Sequence, residues 1–82
     1  MHTMPNGLPY NRFGITVSKK LGKAVRRNKV RRRIYEAFKQ YEASVKTGFD
    51  IVIVARASAA EAEYISYCRV IGGMLRKANL FL

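Results

Sequence analysis

Between Lys19 and Arg33, nine of the fifteen residues are lysine or arginine. No folded element can bury such a run, because each unpaired ion taken out of water costs on the order of several kcal/mol, comparable to the net stability of a small domain. The run must lie on a surface, and whatever folds around it has to supply the apolar side. The rest of the chain does not neutralise it: 16 Lys and Arg face 5 Asp and Glu, a formal charge of +11 on 82 residues. Such a surface repels itself on compaction and attracts polyanions, so a nucleic acid or an anionic membrane surface is the expected class of partner. With 49% hydrophobic residues the composition is not that of a disordered basic tail.

Length allows one domain, 1–82, with residues 1–11 as a turn-forming remnant, and a small core that buries only about 60% of the unfolded surface. The longest apolar stretch, Ile51 to Ala55, is far too short to cross a bilayer, and no signal peptide opens the chain. A cytoplasmic location is expected. Cys68 is the single cysteine, so neither an intrachain disulfide nor a Cys-based zinc site can form. The single histidine, His2, sits in a terminal segment, and the five acids show no metal-ligand spacing. The sequence therefore offers no catalytic residue for nuclease chemistry, no metal site, no cofactor site and no sign of a small-molecule substrate.

Pro5, Asn6, Gly7 and Pro9 set turn geometry near the start, with Asn6-Gly7 as the turn itself. Phe13, Ile15 and Val17 then alternate with smaller or polar residues, a strand with one buried face. Its partner would precede the turn, but Met1 to Met4 offers less than the roughly five residues a strand usually takes, so the chain looks truncated. From about Asn28 to Tyr41 the spacing predicts a helix: Val30, Ile34, Ala37, Phe38 and Tyr41 form one apolar stripe, and Asn28, Lys29, Arg32, Tyr35, Glu36 and Lys39 fall opposite. Phe49 to Ala55 reads as a second strand. Its β-branched run Ile51-Val52-Ile53-Val54 suggests a central strand covered by a helix on each face. Gly48 ends the segment before it, and Ser58 with Glu61 suggests a capping box for a last helix through about Lys77, with Tyr64, Ile65, Cys68, Ile71 and Leu75 inward. Gly72 and Gly73 weaken that helix by roughly 1 kcal/mol each relative to Ala. Asp50 and Arg56, flanking the second strand, are expected to form an ion pair. Phe13 and Tyr41 belong to the core, while Tyr10 and Tyr35 are candidates for base stacking.

Spacing is more informative than composition. The cations begin directly after a strand and continue onto a helix whose first amides also attract anions. Arginine forks grip phosphate oxygens in pairs and lysines act as point charges, a mixture suited to a nucleic-acid backbone. A membrane-surface binder would place bulky apolar anchors beside its cations, whereas the apolar stripe here is committed to a core.

Gly14-Ile15-Thr16-Val17-Ser18-Lys19-Lys20-Leu21-Gly22-Lys23-Ala24-Val25-Arg26-Arg27-Asn28, followed by Arg31-Arg32, resembles the signature of the ribonuclease P protein family. Phe49-Asp50-Ile51-Val52-Ile53-Val54-Ala55-Arg56 and Leu75-Arg76-Lys77-Ala78-Asn79-Leu80 extend the similarity from about Arg12 to Leu82. The resemblance implies an α+β fold, a small sheet with two helices and a left-handed βαβ crossover through the basic helix, the reverse of the usual hand. It implies RNA contacts through Lys19, Lys20, Lys23, Arg27, Asn28, Arg31 and Arg32, with Arg26, Lys29 and Arg33 as further cations of the same surface. Tyr35 stands where the family usually has another arginine. Family members begin with a further helix and strand that carry the aromatic side of the cleft for the precursor-tRNA leader, and both are expected to be missing here. The implied activity is that of a subunit of a ribonucleoprotein endonuclease: the protein binds the catalytic RNA, stabilises its active form and broadens substrate binding, while the RNA, holding Mg2+, removes the 5′ leader from precursor tRNA. The competing reading is a non-enzymatic RNA-binding assembly protein, which explains the charge but not the motif.

Overall fold

The alternation at Phe13, Ile15 and Val17 becomes a strand because its far neighbour presents the same period. The computed structural model describes residues 1–56 and 62–82. Strands β1 (His2–Pro5), β2 (Arg12–Val17) and β3 (Phe49–Ala55) form one sheet in the order β1-β3-β2. β2 runs parallel to β3, with Phe13, Ile15 and Val17 opposite Ile51, Ile53 and Ala55. Helix α1 (Ala24–Lys39) makes the crossover between them, preceded by a 3-10 turn at Lys19–Leu21, and α2 (Tyr64–Lys77) follows β3. The result is the expected small α+β architecture.

A strand does form upstream of the Asn6-Gly7 turn, contrary to the expectation that too little chain was available. His2–Pro5 succeeds with four residues because it pairs antiparallel with β3, His2 opposite Val52 and Pro5 opposite Phe49, rather than forming a hairpin with β2. Gly7 takes the left-handed conformation (φ 69°) that the turn requires.

β3 is not covered on both faces. Ile51, Ile53 and Ala55 are buried, whereas Val52 and Val54 are 36% and 47% exposed. One core gathers these inward residues with Val30, Ile34 and Phe38 of α1 and Tyr67, Ile71 and Leu75 of α2, so both helices lie on the same face of the sheet. A β-branched run marks a strand, but it does not reveal how many faces are packed.

Helix α1 begins four residues before the expected Asn28 and ends at Lys39, two short of Tyr41; Val30, Ile34, Ala37 and Phe38 of its stripe are buried as the spacing predicts, while Tyr41, beyond the helix, packs half-buried against the core. Helix α2 buries Ile71 and Leu75 as expected and half-buries Cys68, but its first turn faces differently: Tyr64 and Ile65 are exposed, and Tyr67 and Gly72 are buried. Ser58 and Glu61, the predicted capping box, lie outside the described residues. Gly72 has a packing reason. A Cβ there would lie 2.8 Å from Tyr41 Oη, whose hydroxyl donates to the Cys68 carbonyl at 2.9 Å. Before β3, a 3-10 turn at Glu42–Ser44 leads to Val45, which bridges Phe81. α2 ends with Asn79 in the left-handed region (φ 57°), Asn79 N–H donating to Arg76 and Leu80 N–H to Leu75. This closure seats buried Leu80 against the core beside Leu75.

Candidate nucleic-acid interface

Burying one stripe of α1 leaves the opposite one to solvent, and that is where the cations fall. Lys29, Arg31, Arg32 and Lys39 are exposed along α1, as are Asn28, Tyr35 and Glu36, while Lys19, Lys20 and Lys23 are exposed on the chain that leads into the helix. Ser18 caps the 3-10 turn by accepting from the Lys20 amide at 3.2 Å, which holds the backbone that carries Lys19 and Lys20. Asn28 Oδ1 accepts from Arg31 Nη1 at 3.3 Å.

The start of α1 is electrostatically unfavourable in isolation. Lys23 occupies the cap position without a side-chain cap bond, and no acid lies in the first turn. Cations beside the positive end of a helix dipole cost about 0.3–1 kcal/mol each, so a bound anion would relieve both the dipole and the uncapped amides. Gly22, Lys23, Val25, Arg26 and Lys29 line a shallow hollow at this end, and Val25 is 82% exposed. Arg27 is half-buried, and its Nε is enclosed without a hydrogen-bond partner.

Not every predicted contact joins this face. Arg33 is half-buried and directs Nη1 toward the Ala62 carbonyl at 3.5 Å, so it bridges to the segment leading into α2 instead of extending the row. The predicted Asp50–Arg56 ion pair is also absent in that form. Asp50 binds Arg12 with both oxygens, at 2.7 Å each, because the parallel register sets Arg12 directly opposite it. Asn6 Nδ2 donates to Asp50 at 3.0 Å. Arg12 and then Asn6 hold the Asp50 carboxyl below the usual carboxylate range, and Asp50 in turn raises the Arg12 guanidinium. Sequence reasoning missed Arg12 since the pair exists only once the β2–β3 register is known.

The two aromatic candidates come together. Tyr10 and Tyr35 line one cleft with Pro9, Asn11, Phe13 and Lys39, beside the cationic row. Among the described residues no group of three or more His, Cys, Asp or Glu side chains is placed to hold a metal ion, and no helix is long and apolar enough to cross a membrane.

Fold and surface together define a class: a small α+β protein with one cationic helix face and an uncapped, cation-rich helix start. The family model for ribonuclease P matches residues 1–79. The ribonuclease P protein component of Caldanaerobacter subterraneus is 43% identical over 81 residues, 99% of this chain and 70% of that protein. That of Clostridioides difficile is 37% identical, covering 98% of this chain and 71% of the relative. Among solved structures, the Staphylococcus aureus RNase P protein superposes with a TM-score of 0.84 at 36% identity, over 98% of this chain and 73% of the other. The Thermotoga maritima RNase P protein gives 0.81 at 32% identity, over 92% and 72%. The chain belongs to the ribonuclease P protein family. It is thereby a protein component of a ribonucleoprotein endonuclease of tRNA processing.

Proposed function

We propose that this chain binds the catalytic RNA of ribonuclease P through the outer face of α1 and the lysines before it, and so assists removal of the 5′ leader from precursor tRNA in the cytoplasm. The observation that carries the reading is the run of exposed Lys19, Lys20, Lys23, Lys29, Arg31 and Arg32 around a helix start with no cap and no acid. Each cation that neutralises a phosphate releases counterions, so affinity arises from charge and position rather than base sequence. Asn28 orients Arg31, and Arg27 brings an unmatched donor to the same end. Arg26 adds charge there.

The protein cuts nothing itself. Phosphodiester hydrolysis belongs to the RNA with its Mg2+, and the chain's part is to neutralise phosphates where RNA helices converge, stabilise the active RNA fold and broaden substrate binding. The test is cleavage of a precursor tRNA by the cognate catalytic RNA at low magnesium. The chain should stimulate the reaction, and Arg27→Ala with Arg31→Ala should abolish the stimulation while circular dichroism reports an intact fold. Equal stimulation by that variant would reject the reading, and RNA binding without any stimulation would favour a general RNA-assembly role.

A further inference from the structure

Where α1 passes the edge strand β2, Pro9, Tyr10, Asn11, Phe13, Tyr35 and Lys39 border a cleft of about 410 Å3. Its walls are aromatic and open: Tyr10 is 56% exposed and Tyr35 51%. Phe13 lies between them and the core, stacked on Phe38 with centroids 4.2 Å apart and tilted toward Tyr35 at 6.2 Å. The wall that carries Tyr10 is fixed at both ends. Asn6 Nδ2 donates to the Tyr10 carbonyl at 3.2 Å, while the Asn11 side chain accepts from the Phe49 amide and donates to the Lys46 carbonyl, each at 2.9 Å. Such pinning holds an aromatic surface ready without a partner, so little ordering cost remains on binding.

The setting selects the occupant. Arg31 and Arg32 lie one turn before Tyr35 on the same exposed side of α1, and Lys39 one turn after, its Nζ 6.0 Å from the Tyr35 ring centroid. A backbone held by these cations brings its next base to the cleft. Glu42, also on the lining, repels a phosphate inside the cleft but not an uncharged base. Cationic tracking beside stacking aromatics is the combination by which proteins hold single-stranded nucleic acid. The geometry points to a stacking site for one unpaired nucleobase of the catalytic RNA, held against Tyr10 and Tyr35. The inference rests on the proposed binding of that RNA and adds a base-recognition site to it.

The test measures binding of the full chain to the catalytic RNA without precursor tRNA, over a salt series. Three proteins are compared: wild type, Tyr10→Ala/Tyr35→Ala and Tyr10→Phe/Tyr35→Phe. The alanine pair should bind about 5- to 50-fold more weakly at an unchanged salt slope, and the phenylalanine pair should match wild type, with equal thermal midpoints for all three. In a second arm, an RNA hairpin with a single-stranded overhang should lose affinity for the alanine pair while its blunt-ended form does not. Unchanged affinity of the alanine pair, an equal loss for both hairpins, or a loss that emerges only after precursor tRNA is added would overturn the inference while leaving RNA binding intact. A wild-type chain with no salt-dependent binding to the catalytic RNA would instead overturn the functional reading and this site with it.

Discussion

Helices α1 and α2 each bury four residues in the same core, yet they differ on the side facing water. α1 carries seven Lys and Arg and one Glu over sixteen residues. α2 carries three cations over fourteen, and exposes Ile65 and Val70 at 56% and 54%. Equal burial from unequal surfaces means that packing does not require the charge. The cations of α1 repel one another and crowd the positive end of its dipole, a cost to folding that only an anionic partner returns. The fold is shared between the helices, while the function rests on one of them.

The largest effects should be blind to this difference. Ile34→Ala in α1 and Ile71→Ala in α2, each 3% exposed, should lower stability by similar amounts of about 2–4 kcal/mol in urea unfolding. A much smaller loss for either would break the equality of the two cores. Next comes RNA binding, where the helices should part. Arg31→Ala with Arg32→Ala should weaken binding to the catalytic RNA about tenfold or more and make the salt slope shallower by about 1.5–2, whereas Arg69→Ala with Arg76→Ala should leave the slope nearly unchanged. Comparable losses from both pairs would mean that the interface wraps the whole molecule.

A smaller contrast lies inside α2. Gly72→Ala should destabilise by about 1–3 kcal/mol because its Cβ meets Tyr41, while Gly73→Ala, with open space around it, should stabilise by roughly 0.5–1 kcal/mol in thermal unfolding. The smallest effect is expected away from both helices, at Asp50. Its carboxyl is depressed in the folded state, so the stability it adds is present at neutral pH and is lost as pH falls through that depressed value. The difference in thermal midpoint between wild type and Asp50→Asn should therefore be greatest near neutrality and vanish in acid.

What the sequence revealed follows from what is local. The apolar stripe of α1 and the alternation of β2 are set by period alone, and both reappear as read. The cationic face is legible for the same reason, since residues at helical spacing share a side whatever they pack against. What depended on distant partners was not legible. Whether β3 was covered on one face or two, and whether Asp50 met Arg56 or Arg12, turned on strand order and register. On α2, Tyr67 packs inward where Tyr64 and Ile65 were expected, a choice set by what α1 and the sheet present to it. β1 was discounted for its length because the partner that stabilises so short a strand is 44 or more residues away, with Pro5 opposite Phe49 and His2 opposite Val52. Arg33 shows the limit within the motif itself: its position in the run is basic, but its side chain turns toward Ala62.

The central claim is that the exposed cations of α1 and its lead-in bind RNA phosphates, and the salt dependence of binding to the catalytic RNA measures this directly. With about six phosphate contacts, log K should fall with log salt at a slope of roughly −4 to −5. A slope near zero would contradict the account.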